Sequence, residues 1–552
     1  MAKRIVVVGG VAAGAGAAAK ARRVDEHAEI VLFEKGPYVS FANCGLPYFV
    51  GGEIEEREAL LLQTPEKLGA RFRIDVRVGH EVVAIDPRRR TVRVIERATG
   101  ASFEQPFDTL VLAMGARGVV PPLPGIDAPN VRPLLTVPDA EELRRAVEGG
   151  ARRAVVIGAG FIGLEAAENL RRQGLEVELV EKAGQVLPPL DPEMTADILD
   201  ALDELGVRLH LGTGARRFRT KGGRAVAAEL EDGTVVEADL FVLSIGVRPN
   251  VELAKEAGIA LGPTGAIAVD ERMETSVPGI FAAGDVAEMR QIVTGREAWI
   301  PLAGPANKAG RVAGANAAGR DLRLRGALGT AIVRVGRAVA AKTGLGEKEC
   351  ARQGIACRVT YNAHPDHASY YPGAKLLTIK LLTERESGRL LGAQVVGESG
   401  VDKRIDVLAT ALHAGLRIDE LEELDLAYAP PFGAAKDPVV MAAMNHANAW
   451  RGELTTMTPA EAAPLWEESQ VIDVRTPAEH ARGAVPGARL VPLDELRERL
   501  GELDSGKRTL VYCQGGQRSA FAVRILRQHG FSDVWSITGG WRMIERHARL
   551  AS

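Results

Sequence analysis

Short aliphatic runs that end in glycine recur along the first half of the chain. Residues 5–10 read Ile-Val-Val-Val-Gly-Gly, a segment of small residues with helical character follows, and the apolar run 30–34 ends in Glu34. Residues 154–181 repeat this order and end in Glu181. Each copy predicts a strand, a glycine turn, a helix and a second strand closed by an acidic residue, which is the pattern of a dinucleotide-binding unit.

The glycines and the acidic residue have different tasks in such a unit. Small residues let the backbone approach a pyrophosphate, the helix N-terminus offers it N–H groups, and the acid accepts hydrogen bonds from ribose hydroxyls. The second copy has the full pattern at Gly158, Gly160 and Gly163, whereas the first has Val11 at the middle position. Two copies predict a bound flavin and a nicotinamide donor. Glu181 should favour NADH over NADPH, because it would repel a 2′-phosphate.

Three further apolar runs fit the same plan. Residues 108–115 and 239–246 are matching strands that end in glycine, and residues 280–285 end in Gly-Asp. Asp285 at the end of such a strand is placed to bond a ribityl hydroxyl, with a helix N-cap as the alternative. From about residue 321 the pattern changes to strands such as 376–380 with helices, which predicts a separate α+β interface domain.

Composition narrows the partners and the compartment. A length of 552 residues allows three or four domains of about 150 residues. The net charge of −3 gives no reason to expect nucleic acid or an anionic membrane as a partner. No apolar run reaches the roughly 18 residues that cross a bilayer, and the apolar start belongs to the first dinucleotide unit rather than to a signal peptide. A cytoplasmic protein is therefore expected.

The chain has four cysteines, too few for a disulfide framework. Cys350 and Cys357 fit no tight metal spacing and are interpreted as structural, and no metal site is predicted. Cys44 lies in a loop that leads into a helix, whose N-terminus would favour a thiolate. It has no C-x-x-C or C-x-x-x-x-C partner, so a flavin-coupled Cys44 must act alone and take its second sulfur from a substrate. Inert packing is the alternative, against which the polar neighbour Asn43 speaks.

The fourth cysteine stands in different surroundings. Cys513 follows the apolar run 509–512 and opens the glycine-rich turn 513–518, after which a helix begins. Such a turn directs backbone N–H groups at the sulfur and stabilises an anion, with Arg518 as a further partner. A purely structural cysteine is the alternative.

Two resemblances become specific at these cysteines. Residues 40–48, Ser-Phe-Ala-Asn-Cys-Gly-Leu-Pro-Tyr, resemble the active-site motif of coenzyme A-disulfide reductases, which are single-cysteine members of the pyridine nucleotide-disulfide oxidoreductase family. Residues 456–552 resemble a single-domain rhodanese over its whole length. The phosphatase relatives of that fold have a turn one residue longer, so the short turn at Cys513 implies a persulfide sulfur rather than a phosphate. The first resemblance covers residues 1–445 and includes motifs at 301–308, 370–373, 401–406 and 427–431.

The resemblances imply an α/β fold with two Rossmann-like FAD and NAD(P) domains, an α+β dimerisation domain and a C-terminal α/β rhodanese domain. The expected boundaries are 1–110 and 247–320 for the FAD-binding domain, 111–246 for the NAD(P)H-binding domain, 321–445 for the dimerisation domain, 446–455 for a linker and 456–552 for the rhodanese-like domain. The family also implies a homodimer in which two tyrosines of the partner subunit enter the active site. Tyr370 and Tyr428 occupy those motif positions, with ordinary interface tyrosines as the alternative.

The same resemblances imply sets of site residues. The catalytic set is Cys44, Cys513, Tyr370, Tyr428 and Arg518. The FAD-binding set is Gly9, Val11, Ala12, Ala13, Gly14, Glu34, Lys35, Asn43, Cys44, Val82, Ala113, Gly115, Gly284, Asp285, Pro301, Leu302, Ala303 and Tyr428. The NAD(P)-binding set is Gly158, Gly160, Phe161, Ile162, Gly163, Glu165, Glu181, Lys182 and Gly246. The coenzyme A-binding set is Gly16, Lys20, Arg23, Ser40, Asn43, Arg71, Arg73, Asn307, Tyr370 and Lys436, the last from the partner.

Two positions depart from the family pattern. Phe72 stands where a lysine ligand is expected, between two arginines, and Asn307 stands where some members carry histidine. The expected activity is the reduction of persulfide, polysulfide or coenzyme A persulfide by NAD(P)H through FAD and Cys44, with sulfane sulfur carried on Cys513. Three alternatives stay open: plain coenzyme A-disulfide reduction, an NADH oxidase or peroxidase whose cysteine cycles through sulfenic acid, and a sulfur-carrier or redox-sensing module whose flavin part is vestigial.

Overall fold

The computed structural model describes residues 2–551, which form two compact units. The first unit comprises the chain up to residue 184 together with 203–329, and the second comprises 185–202 together with the chain from residue 330 onward. Among the described residues, no helix is both long enough and apolar enough to cross a bilayer.

A five-stranded parallel sheet lies at the centre of the first dinucleotide unit. Its strands, in spatial order, are Ile280–Ala282, Thr109–Leu112, Arg4–Val8, Glu29–Glu34 and Asp75–Val78. The alanine-rich helices Ala12–Val24 and Ala303–Ala317 pack against it and against each other, so closely that side chains at Gly310 and Gly314 would overlap the facing backbone. Because helices cover the strands, their residues read as continuous apolar runs rather than alternating ones.

A second parallel sheet repeats this arrangement. Its strands, in spatial order, are Arg208–Leu211, Glu176–Glu181, Arg153–Ile157, Leu240–Leu243 and Val131–Pro133. The helix Phe161–Arg172 follows its central strand, as the first helix does in the first sheet. Both copies predicted from the repeated pattern are therefore present.

Smaller elements complete the first unit. The antiparallel strands are His80–Asp86, Thr91–Glu96, Ser102–Pro106, Ala116–Gly118, Ala215–Lys221, Arg224–Leu230, Val235–Glu237, Val247–Pro249, Met289–Arg290 and Glu297–Ala298. The short helices are Asn43–Gly45, Leu46–Val50, Arg57–Leu60, Pro65–Phe72, Val137–Glu148 and Glu252–Glu256, of which the first and third are 3₁₀ turns.

The second unit contains an antiparallel sheet and a parallel sheet. The antiparallel strands, in spatial order, are Ala331–Val335, Ala338–Gly344, Leu390–Gly397, Leu376–Glu384 and Cys357–Pro365. The parallel strands are Thr456–Met457, Val534–Ile537, Thr509–Tyr512, Gln470–Asp473 and Arg489–Leu490. The helices are Pro192–Thr195, Ala196–Glu204 (which runs on into the first unit), Glu347–Gln353, Val401–Ala414, Ile418–Leu421, Pro438–Trp450, Pro459–Ala462, Ala463–Leu465, Pro477–His480, Leu500–Glu502, Gln517–Gln528 and Gly540–Ala551.

Two predicted boundaries differ from the structure. The helix Pro438–Trp450 continues through residues 446–450, which the prediction placed in the linker 446–455. Its His446 is fully buried, and its two ring nitrogens are hydrogen-bonded to the hydroxyls of Thr360 and Thr383 at 2.8 and 2.7 Å. The polar sequence there therefore faces the sheet rather than solvent.

Residues 185–202 are the second difference, since the prediction assigned them to the NAD(P)H-binding domain. In the structure they pack in the second unit. The Gln394 amide bonds Asp191 through both its oxygen and its nitrogen, at 2.9 and 2.7 Å. Sequence periodicity could not show this placement, because the bonds join residues about two hundred positions apart.

Candidate active sites

The first glycine turn brings the helix Ala12–Val24 close to the sheet. Gly9 has a φ of +95°, and a Cβ there would overlap the carbonyl oxygen of Ala113. A Cβ on Gly14 would overlap the carbonyl oxygen of Gly9. Val11 precedes the helix without a side-chain cap, so no side chain caps the amides of the first helical turn. The turn is built as a phosphate cradle even though its middle glycine is replaced.

Glu34 ends the second strand of this cradle as predicted. One carboxylate oxygen accepts the Gly10 N–H at 2.8 Å and the other accepts the Gly36 N–H at 2.7 Å. Each carboxylate oxygen has two lone pairs, so both keep capacity for a ribose hydroxyl. The carboxylate is thereby held in position before a nucleotide arrives.

The second cradle has the same construction. A Cβ on Gly163 would overlap the Gly158 carbonyl oxygen, whereas a Cβ on Gly160 would meet nothing within 4 Å. Glu181 accepts the N–H groups of Ala159 and Ala183 at 2.7 and 2.8 Å, as Glu34 does in the first cradle. The open space beside Gly160 and the fixed acid suit a dinucleotide pyrophosphate and ribose.

Lys182 follows this acid and could attract the extra phosphate of NADPH. Its ammonium instead pairs with Glu231 at 2.9 Å. The pair offsets the positive charge next to Glu181, which supports the expected preference for NADH.

Other predicted cofactor residues follow the carboxyl ends of strands. Ala113 and Gly115 follow Thr109–Leu112, and Asp285 follows Ile280–Ala282. Asp285 does not cap a helix; its carbonyl accepts the indole N–H of Trp299 at 2.8 Å. The remaining predicted residues lie as follows: Lys35 after Glu29–Glu34, Val82 in His80–Asp86, Gly246 after Leu240–Leu243, Phe161 and Ile162 in Phe161–Arg172, and Pro301, Leu302 and Ala303 at the start of Ala303–Ala317.

Cys44 lies in the 3₁₀ turn Asn43–Gly45, directly before the helix Leu46–Val50. The turn packs tightly, because a Cβ on Gly45 would come within 2.6 Å of the Leu60 side chain. The Asn43 amide donates to the carbonyl of Leu135 at 3.2 Å and ties the turn to a distant segment. Cys44 itself is exposed, which speaks against the inert-packing alternative.

The electrostatics of Cys44 differ from the prediction. Burial of the thiol's inner side raises its pKa, and the carboxylates of Glu165 and Asp285 raise it further. The helix that follows Cys44 has only five residues, so its dipole is weak. Burial also raises the pKa of Asp285 to about 6. The expected bias toward a thiolate is therefore absent from the protein itself.

Glu165 was predicted only as an NAD(P) contact. It stands in the first turns of Phe161–Arg172, and Tyr48 from the Cys44 segment donates its hydroxyl to it at 3.2 Å. Burial raises the pKa of Glu165, and the Tyr48 hydrogen bond opposes this. Glu165 thus belongs to the surroundings of Cys44 as well, a link that no sequence spacing reveals.

The predicted coenzyme A residues in the first unit surround the helix Ala12–Val24. The guanidinium carbon of Arg23 lies 5.3 Å from the centroid of the Phe72 ring, so the phenylalanine at this position stacks on an arginine. The buried Arg22 donates to the carbonyls of Phe72 and Arg73 at 2.8 and 2.9 Å and fixes the segment that carries both predicted arginines. Sequence reasoning missed Arg22, because a buried arginine cannot be distinguished from its exposed neighbour.

The other predicted members of this set lie in the first unit, apart from Lys436. A Cβ on Gly16 would lie 4.0 Å from the Asn307 amide oxygen, which places these two together. Ser40 has a φ of +47°, an uncommon conformation for a non-glycine residue. Lys20 lies in Ala12–Val24 and Arg71 in Pro65–Phe72, while Lys436 lies in the second unit.

The two predicted tyrosines meet in the second unit. Their hydroxyls are 2.9 Å apart, although the residues are 58 positions apart. Tyr370 is 74% exposed and Tyr428 is 46% exposed. The hydrogen bond between the two hydroxyls raises the pKa of Tyr428. The pair therefore presents phenol hydroxyls at the surface of the second unit.

The turn at Cys513 holds its sulfur inside the protein. Cys513 is 1% exposed, and the Gly516 N–H donates to its Sγ at 3.1 Å. Gly516 has a φ of +105°, which L side chains rarely adopt. Arg518 carries a bidentate ion pair with Glu479 at 2.6 and 2.7 Å and also interacts with Cys513, and both partners raise its pKa. Arg518 thus contributes to the site as part of a pair rather than as an isolated cation.

A buried arginine contacts the Cys513 turn through a hydrogen bond. Arg475 is 1% exposed, pairs with Asp473 at 2.7 Å and donates to the Gln514 side chain at 3.3 Å. Its guanidinium lies 5.4 Å from the ring centroid of Tyr512 and 5.0 Å from that of Trp541. The sequence does not single out Arg475. Its role depends on the aromatic rings around it.

The Cys513 turn also contacts the antiparallel sheet of the same unit. A Cβ on Gly515 would come within 3.2 Å of the Ala363 carbonyl oxygen, and a Cβ on Gly539 within 2.8 Å of the Tyr361 Cβ. Glycine is therefore needed at both positions for the two sheets to approach. The turn is seated on the strand Cys357–Pro365 and is not free on all sides.

A buried ion cluster lies under the same strand. Lys380 is fully buried, and its ammonium pairs with Asp191 at 2.7 Å, Glu193 at 2.5 Å and Glu347. The three carboxylates are spaced like cation ligands, but the Lys380 ammonium lies among them. Burial disfavours its charge, yet the neighbouring acids and Tyr361 raise the pKa of Lys380 well above its usual range.

The two remaining cysteines are neighbours in the second unit. A hydrogen bond between their thiols raises the pKa of Cys350 and lowers that of Cys357. Their structural role remains a prediction from the sequence.

Family comparisons agree with this architecture. Residues 3–310 match the description "Pyridine nucleotide-disulphide oxidoreductase", residues 330–438 match its dimerisation domain and residues 458–547 match a rhodanese-like domain. The chain belongs to the pyridine nucleotide-disulphide oxidoreductase family, whose members use FAD and NAD(P)H, and it carries a rhodanese-like domain. The predicted family, fold class and cofactors are confirmed.

Individual relatives match from four fifths of the chain to nearly all of it. The NAD(P)H coenzyme A polysulfide/persulfide reductase of Pyrococcus horikoshii is 38% identical over 445 residues, which are 80% of this chain and 98% of the relative. The structure of reduced CoADR-RHD from Bacillus anthracis matches with a TM-score of 0.96 at 41% identity, over 99% of this chain and 98% of that one. The NAD-dependent persulfide reductase from A. fulgidus matches with a TM-score of 0.92 at 39% identity, over 98% and 99%.

Proposed function

We propose that this oxidoreductase reduces persulfides, polysulfides or coenzyme A persulfide with NAD(P)H, through Cys44, and that Cys513 carries sulfane sulfur. The observation that carries the proposal is the exposed Cys44. It is the only cysteine of the first unit, which also contains both dinucleotide cradles. A lone cysteine cannot form an internal disulfide, so its second sulfur comes from the substrate. The names of the relatives support the same substrate class.

The chemistry at Cys44 is a thiol–disulfide exchange. The Cys44 thiolate attacks the substrate S–S bond, a new S–S bond forms to Cys44, and the leaving sulfur departs with the electron pair as sulfide or thiolate. Bound FAD and NAD(P)H supply the two electrons that later cleave this bond. The raised pKa of Cys44 means that the thiol must first lose a proton, and Asp285 and Glu165 are the titratable groups acting on it.

Dimerisation and coenzyme A complete the proposal. The dimerisation domain supports a homodimer, and the exposed Tyr370–Tyr428 pair is the surface that would enter the partner's site. Lys20, Arg23, Arg71 and Arg73 provide the positive charge that coenzyme A phosphates require. In the dimer, the hydroxyls of Tyr370 and Tyr428 would donate a hydrogen bond to the leaving thiolate.

The test compares four acceptors on one preparation: coenzyme A persulfide, polysulfide, coenzyme A disulfide and oxygen. Cys44→Ser should abolish NADH-linked reduction of all sulfur acceptors while the protein keeps its FAD. Cys513→Ser should abolish thiosulfate sulfurtransfer but spare reduction of small acceptors that reach Cys44 directly. Cys357→Ser, which removes a thiol outside both sites, is the control.

Different outcomes separate the alternatives. A kcat/KM highest for coenzyme A disulfide identifies a plain disulfide reductase, and one highest for oxygen identifies an oxidase. Full reductase activity in Cys44→Ser would place the chemistry elsewhere and overturn the proposal.

A further inference from the structure

A chain of buried hydroxyls runs beneath the sulfur of Cys513. Cys513 Sγ lies 3.8 Å from the Ser519 hydroxyl, which in turn accepts a hydrogen bond from Ser536 at 2.9 Å. All three residues are at most 2% exposed. Ser519 belongs to the helix Gln517–Gln528 and Ser536 to the strand Val534–Ile537, so the chain joins two elements of the parallel sheet layer.

We propose that Ser519, oriented by Ser536, is a positioning residue that stabilises the ionised sulfur of Cys513 when it acts as a nucleophile. This inference rests on the proposed sulfur-carrier role of Cys513. It concerns how the anion is held and not which donor delivers the sulfur.

The argument starts from the hydrogens that the hydroxyls have available. A serine hydroxyl has one proton to donate and rotates to suit its surroundings. Ser536 and the Cys513 thiol both donate to the Ser519 oxygen, which occupies its two lone pairs and leaves the Ser519 proton to be donated elsewhere. That proton currently goes to the Gly516 carbonyl at 3.0 Å. When the Cys513 thiol loses its proton, its Sγ becomes the anion nearest to Ser519. The Ser519 hydroxyl can then rotate so that its proton points at this sulfur.

The other donors around the sulfur do not replace this one. The Gly516 N–H already points at Sγ from the turn. Arg518 is engaged by both carboxylate oxygens of Glu479, which offset its charge. The serine hydroxyl is therefore the adjustable donor on the buried side, where a hydrogen bond to a charge is worth more than in water.

The hydroxyl should distinguish loading from unloading. In loading, Cys513 thiolate attacks the sulfane sulfur of a donor such as thiosulfate; a Cys513 S–S bond forms, the donor S–S bond breaks, and sulfite leaves with the electron pair. The negative charge then lies on the outer sulfur, and Sγ is neutral. Ser519 consequently stabilises the attacking thiolate more than the finished persulfide.

The experiment uses the full-length FAD-loaded protein in a Cys44→Ser background. Alkylation of the Cys513 peptide by iodoacetamide is followed by mass spectrometry across pH, and thiosulfate:cyanide sulfurtransfer is measured in parallel. Ser519→Ala should raise the midpoint of the alkylation profile by about one pH unit. Ser536→Ala should shift it in the same direction by less, because Ser519 then loses its orientation but not its proton.

Ser469→Ala is the matched control. Its hydroxyl is buried without a hydrogen-bond partner in the described structure, and it precedes the strand Gln470–Asp473 at the end of the sheet opposite Cys513. This variant should leave the profile unchanged. All variants are checked by thermal unfolding, and Ser536→Ala decides the matter if Ser519→Ala fails to fold.

The result that overturns the inference is an unchanged alkylation midpoint in folded Ser519→Ala and Ser536→Ala, or an equal shift in Ser469→Ala. A failure of the proposed function looks different. In that case, Cys513→Ser retains sulfurtransfer, whatever the serine variants do.

Discussion

The ionisation of Cys44 depends on side chains from distant parts of the first unit. Glu165 and Asp285 both act on its thiol, and the short helix after it offers little compensation. The active-site motif at 40–48 therefore carries the nucleophile, whereas its reactivity is set by residues far along the chain. A cofactor and a substrate bound beside the thiol would act on this starting state.

Replacing Glu165 by glutamine should make Cys44 a stronger nucleophile. The Glu165 carboxylate raises the pKa of the thiol, so removing its charge should lower the midpoint of Cys44 alkylation by about half a pH unit. Glu148→Gln, at an exposed helix position, is the control. A midpoint that rises or stays in Glu165→Gln would show that the Glu165 charge does not act on the thiol, which leaves burial and Asp285 as the causes of its raised pKa.

The tyrosine pair makes a second prediction at this scale. Tyr370→Phe and Tyr428→Phe should each slow turnover by roughly 10²-fold, because a protonated phenol is lost beside the leaving thiolate. The KM for NADH should change little. Tyr371→Phe is the control, since Tyr371 is an exposed neighbour that packs on His367 instead. Equal kinetics in all three variants would reduce the pair to interface residues.

Among the secondary-structure elements, the strand–turn–helix cradles show which glycines serve folding and which serve binding. Gly163 permits the helix Phe161–Arg172 to approach the sheet, because any side chain would overlap the Gly158 carbonyl. Gly160 faces open space and has an ordinary extended backbone. The sequence motif contains both glycines and does not distinguish their roles. The difference becomes visible only when the strand and the helix are packed together.

Gly160→Ala should therefore fold normally yet bind NADH poorly. The added methyl group meets no protein atom but lies where the pyrophosphate is expected, so the KM for NADH should rise about tenfold or more. The melting temperature should stay the same. Gly163→Ala, in contrast, should lower the melting temperature. A normal KM in Gly160→Ala would place the nicotinamide donor elsewhere.

At the scale of the whole molecule, the Lys380 cluster ties residues 185–202 to the second unit. One buried ammonium holds Asp191, Glu193 and Glu347 together. The loss of the buried cation costs much more than an exposed pair contributes, because the buried Asp191 carboxylate would stay desolvated without its partner. The cluster explains why this segment leaves the predicted NAD(P)H-binding domain.

Lys380→Met should destabilise the second unit by roughly 3 kcal/mol at neutral pH. In the wild type, burial disfavours the Asp191 carboxylate but Lys380 lowers its pKa overall, so its share of stability is present above pH about 4 and is lost as pH falls further. In the variant, burial should raise the carboxyl pKa values. The stability gap to the wild type should therefore shrink as the pH falls from 7 toward 4.

Urea unfolding at several pH values measures this gap. Lys375→Met, which removes an exposed ion pair with Glu398 from the same unit, is the control and should change stability little. A gap in Lys380→Met that is constant with pH would mean that the lost packing, and not the stranded carboxylates, causes the destabilisation.

The sequence by itself determined the two dinucleotide units, the family, the cofactors and the two candidate cysteines. Repeated local patterns indicate the dinucleotide units and their cofactors, and the resemblance of motifs such as residues 40–48 to a known family indicates the rest. Only the tertiary structure decided the surroundings of those cysteines: Glu165 beside Cys44, the Ser519–Ser536 chain beneath Cys513, and the Lys380 cluster. The physical reason is that ionisation, burial and hydrogen bonding depend on partners that chain folding brings together from distant positions.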